Sequence, residues 1–208
     1  MVTLVLNSPR VDRQRLHRLA KTSVLIGVDG GLASIVKAGL IPDWVLGDFD
    51  SVEPGLLQKM PPATKVLRVP REKNYTDFEL GLRLARVFRP HRISVLGLDG
   101  GNRLDHQIVN CVMLCSLALS GCLIEAWSGV QRMIFTAGTS ILPCRLGRNF
   151  SVFALAVVAQ VSILGGKYSA AKIKLRPGSG LGLGNEIVKK QALVQVEKGA
   201  VVISQWLE

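Results

Sequence analysis

The chain has 208 residues, 48% of them apolar, which suits one large domain or a medium domain with a smaller one and is enough to bury a real core. With 26 Lys and Arg against 15 Asp and Glu, the formal charge of +11 favours anionic partners such as nucleotides, nucleic acid or acidic lipid. The basic residues are scattered, as in Arg10, Arg13, Arg15, Arg18 and Lys21, with the spacing of a solvated helix face. No RNA-binding or helix-turn-helix signature accompanies them, so nucleic acid is not expected.

The opening "MVTLVLNSPR" has neither a basic start nor a cleavage site and is read as a first strand, not a signal peptide. A helix is expected over Asp12 to Ala20. "VLIGVDGG" is then a strand running into a glycine turn, followed by a helix over Leu32 to Ala38. "WVLGDFDS" and "KVLRVP" are strands, and Thr76 to Phe88 is a helix with Leu80, Leu84 and Val87 on one face. "RISVLGLDGG" is a strand, Leu104 to Leu119 an apolar helix, and "CLIEAWS" closes the series. This alternation predicts a mostly parallel, Rossmann-like α/β sheet with helices on both sides.

From Gly129 the helical periodicity fades into short apolar runs separated by Gly, Pro and Asn, the pattern of a smaller antiparallel β-sandwich. A boundary is therefore placed near Ser128, giving domains 1–128 and 129–208. The uncharged run from Ile108 to Ile124 contains Asn110, Ser116, Ser120 and Gly121 and lacks positive flanking anchors, so no membrane span is expected. Cys111, Cys115, Cys122 and Cys144 form no Cys-x-x-Cys pair and are read as buried free thiols of a reducing cytoplasm. With His106, Cys111 and Cys115 fall short of a zinc set, which wants a fourth ligand and tighter pairing.

Ligands of parallel α/β sheets collect beyond the carboxyl ends of the strands. Three polar clusters fall there: Asp29-Gly30-Gly31, Gly47-Asp48-Phe49-Asp50-Ser51, and the segment from Gly100 to His106 containing Arg103 and Asp105. A fourth, Lys73-Asn74-Tyr75-Thr76-Asp77, opens a helix, with Thr76 as its cap and Asp77 at its positive end. In an extended segment Asp48 and Asp50 project the same way, roughly 6 to 7 Å apart, while Phe49 turns to the core. Both carboxylates then reach one hard cation, and magnesium suits oxygen ligands shared with substrate phosphates. Asp29 and Asp77 add negative charge that a divalent metal, protons, Lys73 or Arg103 must compensate. Gly30 and Gly31 allow backbone N–H groups to approach phosphate oxygens. Each cluster alone reads as a turn or helix start; together, in a chain short of acid, they mark a functional site. His106 is read as a structural histidine beside Asp105.

The ordered set Asp29-Gly-Gly, Pro42-Asp43, "GDFDS", "KNYTDFE", "GGNRLDH" with Asn110, and "GLGNE" at 182–186 resembles bacterial thiamine pyrophosphokinase over most of the chain. The resemblance implies an amino-terminal nucleotide-binding α/β domain, a carboxy-terminal β-sandwich and a homodimer. The implied chemistry is transfer of the pyrophosphoryl group of ATP to the hydroxyl of thiamine, giving thiamine diphosphate and AMP with Mg2+. By position, Asp29, Asp48, Asp50 and Asp77 match the metal and phosphate site, with Asp48, Asp50, Asp77 and Arg103 in catalytic roles. Gly30, Gly31, Ser51, Lys73, Thr76, Arg103 and Asp105 fall to the nucleotide, and Asn185 to the thiamine pocket. The chain departs from the family at Gly184, where serine is usual, at Tyr168, where tryptophan is frequent, and after "DGG", where asparagine is frequent.

Two further readings compete. A related pyrophosphokinase acting on another pyrimidine or pterin alcohol fits the altered second-domain residues. A non-catalytic nucleotide or RNA binder is favoured by the charge alone, and it would tolerate loss of Asp50.

Overall fold

The computed structural model describes residues 1–99, 103–129, 131–143 and 146–206. Gly100 to Asn102 of the "GGNRLDH" segment and Cys144 lie outside the described residues. The chain divides into two units, residues 1–110 with 126–129, and residues 111–125 with 130–206 among those described.

The first unit is built on five parallel strands: β1 (Val2–Val5), β2 (Val24–Val28), β3 (Trp44–Gly47), β4 (Lys65–Arg68) and β5 (Arg92–Leu96). Their order is β5-β1-β2-β3-β4, with Leu4 opposite Ile26 and Val95. The inner strands are buried on both faces and therefore read as continuous apolar runs. β4 is the edge strand, and all four of its residues are exposed. Lys65 and Arg68 there lie over the Trp44 and Phe49 rings, placing charge on an otherwise open edge.

Helices cover both faces of this sheet. Helix α1 (Arg13–Ala20) starts at Asp12, whose Oδ1 accepts from Arg15 N at 3.1 Å, and buries Leu16 with Val5, Leu25 and Ile35. Helix α2 (Gly31–Lys37) contributes Ile35 to the same cluster, and Leu32 to a neighbouring one with Val45 and Phe49. Helix α3 (Asp77–Val87) takes the opposite face. Its buried residues are Phe78, Gly81, Leu82 and Ala85, not the expected stripe of Leu80, Leu84 and Val87, and Val87 is 74% exposed. The reason is Gly81: a Cβ there would lie 2.9 Å from Val28 Cγ2, so the bare backbone lets the helix settle on Val28 and Leu4. Phe78, Leu82 and Ala85 carry the i, i+4, i+7 apolar spacing of this face, as regular as that of Leu80, Leu84 and Val87, and Gly81 adds the close approach.

Helix α4 (Leu104–Ala118) begins in the first unit and continues into the second; strand β6 (Leu123–Ser128) is likewise divided at Glu125 and Ala126. The rest of the second unit is all strand. β7 (Gln131–Thr136), β9 (Asn149–Phe153), β12 (Asn185–Glu186) and β14 (Val201–Trp206) pair in the order β12-β9-β14-β7. β8 (Thr139–Pro143), β10 (Ala159–Leu164), β11 (Ala170–Leu175) and β13 (Gln191–Lys198) pair in the order β11-β10-β13-β8. All these pairings are antiparallel. Alternate residues of both sheets meet in one core, Phe150, Val152 and Ile203 from one and Leu142, Val161 and Val194 from the other, which makes a β-sandwich. Glu125, 4% exposed, is ion-paired with Arg132, as a charge so far from water requires. Among the described residues no helix is long and apolar enough to cross a membrane.

Candidate active site

The carboxyl ends of the parallel strands frame a cleft of about 470 Å³ in the first unit, a volume within the range of small-molecule sites. Asp29 stands at the end of β2, Asp48 after β3, and Asp77 at the first turn of α3; all three line the cleft with Lys73, Arg103 and Asn7. Carboxylate oxygens of Asp29, Asp48 and Asp50 lie within 4.8 Å of one another.

The convergence of Asp48 and Asp50 has a different origin from the alternation expected of an extended strand. Phe49 adopts φ 62°, a left-handed conformation, and its ring is buried at 8% exposure. The chain therefore turns around Phe49, and Asp50 N donates to Asp48 Oδ1 at 3.1 Å. That backbone hydrogen bond, helped by Lys73, holds the Asp48 carboxyl below its usual range despite the burial that opposes it. Asp29 is also left-handed, φ 47°, anchored by its own N–H to Leu46 O at 2.7 Å. Its Oδ2 accepts from Ser51 Oγ at 2.6 Å, and its Oδ1 is buried with no partner among the described residues.

Asp77 stands apart from the group of three. Burial pushes its carboxyl up, Asp48 and Asp29 push the same way, and Lys73 opposes them. Lys73 Nζ is 3.2 Å from Asp77 Oδ1, a charge contact outside hydrogen-bond angles, and 3.6 Å from Asp48 Oδ2. Thr76 caps α3, its Oγ1 accepting from Glu79 N at 3.1 Å. Arg103 makes a two-pronged contact with Asp105, Nε to Oδ1 at 3.0 Å and Nη2 to Oδ2 at 2.7 Å. The guanidinium holds the Asp105 carboxyl down to about 2, and both side chains face solvent.

The donor set fits a hard divalent cation. It consists of carboxylate oxygens, those of three side chains converge, and Asp29 Oδ1 is a buried anion oxygen that none of the described residues satisfies.

Gly30 and Gly31 follow Asp29 directly. A Cβ on Gly31 would fall 1.9 Å from Val5 O, so this glycine is needed for α2 to pack against β1, independently of any phosphate. Asn185 lies in the second unit, 4% exposed. Its Oδ1 accepts from Tyr168 N and Glu186 N and its Nδ2 donates to Tyr168 O, at 3.0, 2.9 and 2.9 Å, so the amide clamps the turn that presents Tyr168. Asp43 is structural: its Oδ2 accepts from Leu25 N at 2.7 Å.

Sequence reasoning missed Asn7, Arg71 and Tyr75, which also line the cleft. Asn7 was accessible to the strand-end rule, since it ends "TLVLN". Arg71, 3.6 Å from Asp50 Oδ2, carries no sequence signal. Tyr75, 42% exposed with Arg83 3.7 Å from its ring centroid, is an aromatic inside a recognised segment. Cys111 and Cys115 on α4 are free, and burial pushes both thiols up, Cys111 to about 11; of the three described cysteines only Cys115 is fully buried, Cys111 and Cys122 being partly exposed.

Comparison with known proteins bears on this arrangement directly. A curated relative, the thiamine pyrophosphokinase of Bacillus subtilis strain 168, is 28% identical over 186 residues, covering 86% of this chain and 85% of its own. The crystal structure of thiamine pyrophosphokinase from Bacillus subtilis superposes with TM-score 0.85 at 22% identity, over 100% of this chain and 99% of that one. That of Geobacillus thermodenitrificans gives 0.82 at 24% identity, over 100% and 97%. These likenesses establish the fold. The family model described as "Thiamin pyrophosphokinase, catalytic domain" matches residues 16–125, just over half of the chain and all four clusters of the cleft, and the chain belongs to that family of enzymes.

Proposed function

We propose that the protein is a magnesium-dependent thiamine diphosphokinase, transferring the pyrophosphoryl group of ATP to the hydroxyl of thiamine and releasing AMP. The observation that carries this reading is the convergence of Asp29, Asp48 and Asp50, the first two lining a cleft that also holds Lys73, Arg71 and Arg103, in a chain of this family. The thiamine hydroxyl oxygen forms a bond to the β-phosphorus, the bond from that phosphorus to the α–β bridging oxygen breaks, and the hydroxyl proton is released. Such a transfer needs positioning and charge neutralisation more than a covalent nucleophile. Asp29, Asp48 and Asp50 would hold Mg2+, which supplies a positive charge against the phosphate oxygens. Lys73 adds fixed positive charge beside it, Arg103 lines the cleft from its exposed pair with Asp105, and Thr76 holds the start of α3 so that Asp77 faces the cleft.

We assign nucleotide and metal binding to residues 1–128, and thiamine binding and association into a homodimer to residues 129–208. Exposed Leu164, Tyr168, Leu181 and Leu183 give the second unit apolar surface suited to association. Free thiols at Cys111, Cys115 and Cys122 suit a reducing compartment, and we place the enzyme in the cytoplasm.

Acceptor identity is tested by supplying Mg-ATP with thiamine, with other pyrimidine alcohols and with a pterin alcohol, and measuring AMP. AMP is expected with thiamine and at background with the others. AMP formed only with another alcohol would reassign the acceptor and leave the transfer chemistry in place.

A further inference from the structure

The carboxylate cleft carries a cation of its own. Lys73 is 13% exposed, 3.2 Å from Asp77 Oδ1 and 3.6 Å from Asp48 Oδ2, and its ammonium donates a 3.1 Å hydrogen bond to Pro70 O. An ammonium is a compact, strongly hydrated charge, and here three protein oxygens replace much of its water. Arg71 reaches Asp50 from a side chain 81% exposed, where solvent screens the pair. The two cations are therefore unequal: Arg71 is a surface partner, whereas Lys73 is fixed among the carboxylates. A dication arriving at Asp48 meets a positive charge already seated on that side chain. Repulsion at this range is large enough to weaken binding of a bare ion by roughly tenfold or more, even with the generous screening of a protein surface.

We propose that Lys73 is a built-in counter-cation that suppresses binding of a bare divalent ion to Asp29, Asp48 and Asp50, so that metal enters together with the phosphates of its nucleotide. Triphosphate oxygens bring the negative charge that lets ammonium and dication share one site. The inference rests on the metal reading of the three carboxylates and adds to it an order of entry and a residue that enforces it.

The test is Mn2+ titrated into nucleotide-free protein, with free Mn2+ read by electron paramagnetic resonance. Lys73→Met is expected to bind bare Mn2+ roughly tenfold or more tightly than the unaltered protein. Lys73→Arg, which keeps the charge, is expected to bind as weakly as the unaltered protein. Lys73→Met binding Mn2+ no more tightly than the unaltered protein would overturn the proposal, as would Lys73→Arg binding as tightly as Lys73→Met. Circular dichroism in EDTA reports whether each variant is folded. Should Lys73→Met not fold, Lys73→Gln takes its place on the same criterion: tighter binding of bare Mn2+ is expected, and unchanged affinity overturns the proposal. AMP formation from ATP and thiamine is scored separately, so either result can fail while the other stands.

Discussion

Ser51 Oγ donates a 2.6 Å hydrogen bond to Asp29 Oδ2, tying the turn after β3 to the turn after β2. The bond fixes one oxygen of Asp29 and leaves Oδ1 buried and without a partner among the described residues, the oxygen we propose for the metal. Ser51→Ala frees the carboxylate to rotate. It is expected to reduce kcat/KM by about tenfold, the range of one hydrogen bond to a charged group, with little change in melting temperature. Steady-state kinetics beside a thermal melt checks this; unchanged kinetics would show that Asp29 is oriented by something else.

Asp50 is the most exposed of the three converging carboxylates, and its contact with Arg71 is a solvent-screened surface pair. Asp50→Asn is therefore expected to remove most turnover, a hundredfold or more by the usual scale of lost transition-state charge stabilisation, while the protein melts within about 2 °C of its original temperature. Activity within a few-fold of the original would refute the metal assignment.

Acid stability tests the pairing of Arg103 with Asp105. The folded-state value for Asp105, about 2, lies below the ordinary 3.8, so between these limits the unfolded chain binds more protons. The pair's contribution is fully present above about pH 4 and is lost as pH falls towards 2. Both side chains face solvent, so the effect is small. Asp105→Asn should melt slightly below the original protein at pH 6, with the difference closing by pH 2. A difference that widens on acidification would contradict the assigned pairing.

Association is expected through residues after Ser128, in an isologous homodimer. Sedimentation at micromolar concentration should give twice the 22.5 kDa chain mass. A fully active monomer would remove the dimer from the account.

The strand and helix series was legible because each element carries its own signal: β-rich apolar runs, caps at Asp12 and Thr76, and glycine at the turns. Asp29 and Asp48 line one cleft because each follows a parallel strand, a position readable from the sequence, and Asp77 joins them from the capped first turn of α3. What escaped depends on backbone conformation and three-dimensional proximity. The left-handed turn at Phe49 is invisible in a segment whose neighbours look extended, since a phenylalanine there gives no warning. Helix α3 offers two apolar stripes of equal spacing, Leu80-Leu84-Val87 and Phe78-Leu82-Ala85, and the choice between them is made by the close approach of Gly81 to Val28, which is a matter of proximity. The division of α4 at Asn110 and Cys111 has no composition shift to mark it.

Phosphorus NMR of the reaction mixture reads whether the β-phosphorus of ATP is the atom attacked. With Mg-ATP and thiamine, resonances of AMP and thiamine diphosphate should rise together in equal amounts, and neither should appear when EDTA is present. ADP rising with thiamine monophosphate would place the attack at the γ-phosphorus and contradict the account.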